Sequence, residues 1–206
     1  EELPRKGKTA VELFEAMHDD EVHGLINICC NPAVSHPDTN YLREALQRLD
    51  FLCVIDFFMS ETARYADVVL PGSLHEEEEG TSTTAEGRVV RIRAAVSPPA
   101  NARRDTDIIL EIARRLGKEK FFTYRDNEDI FNELRRASKG GTADYYGITW
   151  KRIEQEMGVF WPCPEIGHPG TPRLFEDKKT CKPDGKFHMH PTPYRLSHEV
   201  PDKEYP

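Results

Sequence analysis

Three short, unbroken apolar runs, each closed by a turn signal or an acid and separated by helical patterning, set the tightest limit on what this chain can fold into. Leu25 to Cys30 stops at Asn31-Pro32, Phe51 to Ile55 stops at Asp56, and Val68 to Leu70 stops at Pro71. Between the first two runs, Tyr41, Leu42, Ala45, Leu46 and Leu49 recur at the 3.6-residue period and predict a helix from Asp38 to Leu49. Ser60 to Ala66 predicts one or two helical turns before the third run. Upstream, Thr9 stands as the N-cap of a helix over residues 9–18 that puts Val11, Phe14 and Met17 on one face. Short strands without polar alternation belong to parallel sheets covered on both faces. The expected class is therefore α/β, with a doubly wound, mainly parallel sheet and helices on both faces.

Ligands of such sheets sit beyond the carboxyl ends of the strands, which singles out Asn31, Asp56 and Gly72. A carboxylate at the end of a buried strand is costly unless it is solvated or paired. It also accepts two hydrogen bonds at once, from a ribose diol or from the donor edge of guanine. Asp56 meets that description, and Asp105 carries the same chemistry at the start of the clearest helix in the chain. There Ile108, Ile109, Ile112 and Leu116 form the apolar face and Gly117 the stop. The plain alternative for Asp105 is the N-cap of its own helix. No GxGxxG loop and no GxxxxGK[ST] loop is present.

The rest of the chain is less directive. Glu76 to Glu79 lie in a polar loop and read as a solvated acidic face, with hard-cation binding a weaker alternative. Val89 to Arg93 alternates like a half-buried strand. Arg88, Arg91, Arg93, Arg103 and Arg104 form either a self-compensating surface or a seat for an anion such as pyrophosphate. Further helices are expected at about 127–137 and over TWKRIEQEM, and the proline-rich chain from Val159 onward is expected to be irregular, with Trp161 as a packing anchor. His75 has no recognisable nucleophile beside it, and His188 and His190, near Cys181, read as a solvated tail rather than metal ligands. The five cysteines, Cys29, Cys30, Cys53, Cys163 and Cys181, contain no C-x-x-C pair and read as buried thiols in a reducing compartment. A net charge of −8 argues against nucleic acid as a partner. No apolar run reaches membrane length, and the start carries no signal pattern. Because it also lacks an initiating Met, the 206-residue chain is expected to be a piece of a longer protein.

ICCNPAVSHPD, VIDFFMSETARYADVVLPGS, EEEEGTSTTAEGR and ARRDTDIILEIARRLG together resemble the prokaryotic molybdopterin oxidoreductases. DYYGITWKRIE, FWPCPEIGHPGTPRLF and the ending PYR…PDKEYP resemble their assimilatory nitrate reductase and cytoplasmic formate dehydrogenase branch. The resemblance implies that residues 1–158 are the second half of a discontinuous Rossmann-like domain gripping one molybdopterin guanine dinucleotide. Residues 159–206 would be an irregular, proline-rich extension toward a further pterin-binding domain. It also implies cofactor contacts at Asn31, Ser35, Asp56, Gly72 and Asp105, with Asp56 holding ribose or guanine donors and Asp105 the guanine N–H edge. Ile55, Glu78 and the Glu86-Gly87-Arg88 stretch depart from what many relatives carry, and Glu78 argues against the periplasmic branch. The implied cofactors are molybdenum bis(molybdopterin guanine dinucleotide) and a [4Fe–4S] cluster held by an N-terminal part outside this chain. Neither a catalytic residue nor a metal ligand is expected within it. The implied partners are nitrate or formate as small-molecule substrate, an electron-transfer protein and the rest of the polypeptide, in the cytoplasm and without membrane contact. A stand-alone α/β module that binds a nucleotide or a protein and does no redox chemistry is the alternative of another class.

Overall fold

The structure is a computed structural model and describes residues 6–180, 182–195 and 201–203. The chain divides into two units, Glu1–Pro172 and Arg173–Pro206. In the first, helix α1 (Ala10–His18) begins at Thr9, whose side chain accepts from Glu12 N while the Glu12 carboxylate returns to the Thr9 amide. This reciprocal cap satisfies two of the donors that a helix start leaves open. Phe14, Ala16 and Met17 are buried, but Val11 is exposed, contrary to the expected face. Strand β1 (Gly24–Ile28) leads to α2 (Pro32–Ser35) and α3 (Thr39–Gln47), the latter capped by Asp38 through Tyr41 N at 3.0 Å. Strands β2 (Phe51–Asp56) and β3 (Val68–Pro71) follow, with a single 3₁₀ turn at Ala63–Tyr65 between them.

These three strands form a parallel sheet in the order β1-β2-β3. Leu52 and Val54 of β2 pack with Phe14, Met17, Leu42, Ala45 and Leu46 in the core on the α1/α3 side. On the other face the register aligns Ile26 with Cys53 and Val68, and Ile28 with Ile55 and Leu70. Ile26 (47 %), Ile28 (41 %) and Phe51 (45 %) stay exposed there.

The second half of the unit departs from the expected sheet. Strand β5 (Arg88–Ile92) does not join the parallel set. It pairs antiparallel with β4 (Gly80–Thr83) and β6 (Val159–Phe160) in a separate three-stranded sheet. The mainly parallel expectation is therefore corrected to a mixed architecture with one parallel and one antiparallel sheet. Val89, Phe131, Ile148, Ile153, Val159 and Cys163 form the core of that second half. Its helices are α4 (Asp105–Arg115), α5 (Asn127–Ser138) and α6 (Trp150–Gln155). Phe160 and Trp161 belong here as well: Arg88 lies over the Phe160 ring at 4.6 Å, and Trp161 stacks on Tyr145 at 6.3 Å between centroids. The first compact unit runs through Pro172. Within the second unit, Phe175 meets Phe187 edge-on at 5.3 Å, and His188 Nε2 lies 2.9 Å from Asp184 Oδ2. Cys181, part of the expected His/Cys grouping, lies outside the described residues.

Candidate functional site

The carboxyl ends of β1, β2 and β3 and the N-terminus of α4 converge, and the convergence is built from backbone hydrogen bonds. Cys29 N donates to Ile55 O at 2.8 Å and Gly72 N to Asp56 O at 3.3 Å, which extends the ladder past the strands. Arg103 N donates to Pro71 O at 3.0 Å and brings the segment before α4 alongside β3. The buried Asn27 side chain donates to Cys30 O at 2.7 Å and holds the turn after β1.

Asp56 ends β2 with its carboxylate held from its own loop. Oδ1 accepts from Phe58 N at 3.0 Å and Oδ2 from Ser60 Oγ at 2.9 Å. A carboxylate offers about four acceptor positions, so each oxygen keeps capacity for a ligand donor. Asp105 has the same arrangement through different partners. Its Oδ2 accepts from Cys29 Sγ at 2.8 Å and its Oδ1 from Ser73 N at 3.3 Å. Asp105 is not the cap of its own helix: Arg104 occupies that position without a side-chain bond, and the Asp105 amide donates to Glu78 from another loop. Gly72 permits this packing, since a Cβ there would lie 2.5 Å from Asp105 Oδ1 and 3.2 Å from the Ile55 side chain.

Asn31 serves the scaffold. Its Oδ1 accepts from Thr62 N at 3.1 Å and Thr62 Oγ1 at 2.8 Å, and its Nδ2 donates to Glu61 at 2.7 Å. Ser35 Oγ donates to the Asn31 carbonyl at 3.1 Å. Cys29, Cys30, Asn31, Asp56, Phe57, Phe58 and Ser60 line a recess of 230 Å³. Asp105 adjoins it through Cys29 and Gly72 through its bond to Asp56 O, whereas Ser35 is not among its lining residues.

Sequence reasoning missed the two exposed cysteines and the bonded part of the acidic run. Cys29 and Cys30 are exposed rather than buried, while Cys53 and Cys163 are buried as expected. The acidic run is not simply a solvated face. Glu77 is buried and accepts from Leu74 N at 2.8 Å, Glu78 accepts from Ser73 Oγ and the Asp105 amide, and Glu79 pairs with Arg91. Each of these carboxylates has found an N–H or O–H donor that composition cannot reveal. Three of the five arginines of the cluster are compensated by nearby acids. Arg88 pairs with Glu86, Arg91 with Glu79 and Glu154, and Arg93 with Glu154. Arg103 and Arg104 are exposed, and Arg104 starts α4. Among the described residues no group of three or more His, Cys, Asp or Glu is placed to hold a metal ion, and no helix is long and apolar enough to cross a membrane.

The Cys29 thiol is pushed up to about 12 by desolvation, by its bond to Asp105, and by the negative charges of Asp105, Asp56 and Glu78. A raised value means less thiolate at a given pH, about a thousandfold less at pH 8 than for an ordinary thiol. A more basic thiolate is also the better nucleophile, which returns part of that loss. Cys29 is therefore expected to react with iodoacetamide about thirtyfold slower than a free cysteine. Asp105→Asn should speed it, as peptide mass spectrometry would show. Labelling at the free-thiol rate would mean that the Cys29–Asp105 bond does not persist in solution.

A family model described as molybdopterin oxidoreductase matches residues 2–115. The chain is 48 % identical over 208 residues to the assimilatory nitrate reductase catalytic subunit of Bacillus subtilis (strain 168), covering 100 % of this chain and 29 % of that protein. It is 46 % identical over 176 residues to the F420-dependent formate dehydrogenase subunit alpha of Methanocaldococcus jannaschii, covering 85 % of this chain and 25 % of that one. It thus spans less than a third of the length of these relatives. Among solved structures, the acetylene hydratase from Pelobacter acetylenicus has the same fold over 70 % of this chain and 20 % of its own, at a TM-score of 0.56 and 23 % identity. With more than half its length matched by the family model, the chain belongs to the molybdopterin oxidoreductase family.

Proposed function

We propose that this chain is the part of a nitrate reductase catalytic subunit that grips one guanine dinucleotide arm of a bis(molybdopterin guanine dinucleotide) cofactor. The observation that carries the reading is the pair of strand-end and helix-start carboxylates, Asp56 and Asp105. Both oxygens of each are pinned by the protein, and each oxygen retains acceptor capacity. That acceptor set fits a nucleotide with a ribose diol at one end and a guanine donor edge at the other. Gly72 keeps clear the space that a side chain would take from Asp105. Asp56 would hold ribose or base donors, Asp105 the guanine N1–H and N2–H pair, and the backbone at Asn31 and Gly72 the cleft wall. Ser35 would contribute through its turn or as an acceptor, because its one O–H is donated to the Asn31 carbonyl.

The half-exposed apolar face of the parallel sheet supports reading this unit as the second half of a discontinuous Rossmann-like domain, completed by other parts of the polypeptide. Residues beyond the first unit would lead toward a further pterin-binding domain. When bound, the cofactor supplies oxygen-atom transfer at molybdenum, with nitrate giving nitrite and electrons arriving through a [4Fe–4S] cluster and an electron-transfer partner. The role of these 206 residues is to fix one dinucleotide in place, in the cytoplasm, without contributing a metal ligand. Identity to the Bacillus subtilis enzyme over the whole chain favours nitrate. The 46 % identity to a formate dehydrogenase subunit supports formate oxidation as the second reading.

The test is expression of the full-length protein, with molybdenum and acid-released guanine nucleotide quantified. Nitrate-dependent oxidation of reduced viologen and formate-dependent dye reduction are then measured in parallel. Molybdenum, guanine and nitrate turnover are expected together. Formate turnover alone would move the assignment to the second reading, and a protein without molybdenum or guanine would overturn both.

A further inference from the structure

We propose that Cys29 is a positioning residue for base recognition: its thiol, donated to Asp105 Oδ2, fixes the carboxylate so that both oxygens meet the donor edge of guanine. The inference rests on the reading of this strand-end site as a guanine site. Two elements donate to the Asp105 carboxylate, and a third holds the backbone around it. Cys29 comes from the end of β1, Ser73 N from the loop after β3, and Glu78 holds the Asp105 amide and the Ser73 hydroxyl. Oδ1 and Oδ2 are thus held separately, at 3.3 and 2.8 Å, which removes the freedom of the carboxylate plane to rotate. A guanine presents N1–H and N2–H as two parallel donors, so only a carboxylate in their plane receives both. A rotated one receives a single bond and tells guanine from hypoxanthine poorly.

The backbone at Cys29 gives a second reason to assign the thiol a purpose. Its φ is +51°, in the left-handed region that favours glycine. The cysteine stays where glycine would be relaxed, and from there its sulfur reaches a residue 76 positions further along the chain. A thiol is also the right donor chemically. It is neutral and has one hydrogen, so it orients the carboxylate without cancelling the charge that a ligand's N–H groups need. Being pushed up to about 12, it remains a donor across the working pH range. A lysine in its place would neutralise the acceptor it was meant to present.

The experiment uses full-length protein prepared without cofactor and measures binding of guanosine, inosine and xanthosine 5′-diphosphates by calorimetry. The variants are Cys29→Gly and Cys29→Ser. Glycine removes the thiol and relaxes the backbone, so this variant folds at least as well as the parent, while serine keeps an O–H donor. The parent is expected to prefer the guanosine over the inosine nucleotide about tenfold or more, as one additional charge-assisted hydrogen bond allows. Cys29→Gly should reduce that ratio to about threefold or less, and Cys29→Ser should restore most of it. If Cys29→Gly keeps the full preference, the positioning role is overturned while the guanine reading stands. If the parent itself binds the guanosine and inosine nucleotides equally, the guanine reading fails and the inference falls with it.

Discussion

Gly147→Ala is expected to destabilise the protein by about 3 kcal/mol, the upper part of the range for forcing atoms into a packed interior. A Cβ at this position would lie 2.0 Å from Glu165 O and 2.7 Å from Cys163 O. Both are main-chain atoms, so no side chain can swing aside to make room. The joint they belong to is dense with hydrogen bonds. Gly147 N donates to Cys163 O at 2.6 Å and Cys163 N to Asp144 O at 2.7 Å. The Arg152 guanidinium donates to the carbonyls of Gly147 and His168, each at 3.0 Å, and Arg135 donates to Tyr146 O at 2.7 Å. Separating the two segments by the ångström or more that a methyl group demands would break several of these bonds around the fully buried Ile148 and Cys163. Amide hydrogen exchange across residues 144–165 should accelerate about a hundredfold. Gly80→Ala is the control: nothing lies within 4 Å of its Cβ position, and it should change exchange little. Equal behaviour of the two variants would show that the close approach at Gly147 does not constrain the folded chain.

What the sequence revealed and what it concealed follow from the same physics. The parallel strands were legible as short, continuously apolar runs, and Phe51–Asp56 and Val68–Pro71 are bounded where those runs stop. Helix starts at Thr9, Asp38 and Thr149 were legible because a cap is a local hydrogen bond. The antiparallel sheet was not. Its edge strand β4 is Gly-Thr-Ser-Thr, half in solvent, and β6 contributes only two residues, too few to show a period. Its existence depends on pairing across some seventy residues. The strand-end rule singled out Asn31, Asp56 and Gly72, and Asp105 followed from its chemistry. The partners of those residues were beyond reach. Cys29 sits at a positive φ that sequence does not advertise, and Glu78 binds an amide and a hydroxyl contributed by other segments. Donors from the main chain carry no residue signature, so a carboxylate serving the scaffold and one facing solvent read alike until the fold is known.

Asp105→Asn is expected to weaken binding of guanosine 5′-diphosphate to the cofactor-free full-length protein about a hundredfold or more, the equivalent of losing two charge-assisted hydrogen bonds. The substitution keeps the volume and replaces one acceptor oxygen by an NH₂ donor. That donor would confront either Cys29 Sγ–H or Ser73 N–H inside the frame, or the guanine N2–H outside it. One of these must be left facing another donor, and an unpaired donor at a desolvated edge costs more than a missing bond. Xanthine carries a carbonyl where guanine carries its 2-amino group, while its N1–H is unchanged. The variant should therefore gain about tenfold for xanthosine 5′-diphosphate, inverting the preference of the parent. Gly72→Ala tests the same carboxylate from the side: a Cβ 2.5 Å from Oδ1 must push it out of plane, lowering guanosine binding without creating a xanthine preference. Asp56→Asn separates the roles further. A carboxylate that holds the ribose should, when lost, weaken guanosine, inosine and xanthosine nucleotides alike. An inverted base preference in Asp105→Asn beside a base-blind loss in Asp56→Asn would assign the two ends of the nucleotide. A base-selective loss at Asp56 would instead turn the nucleotide around in the cleft, and unchanged affinities in both variants would remove it from these strand ends.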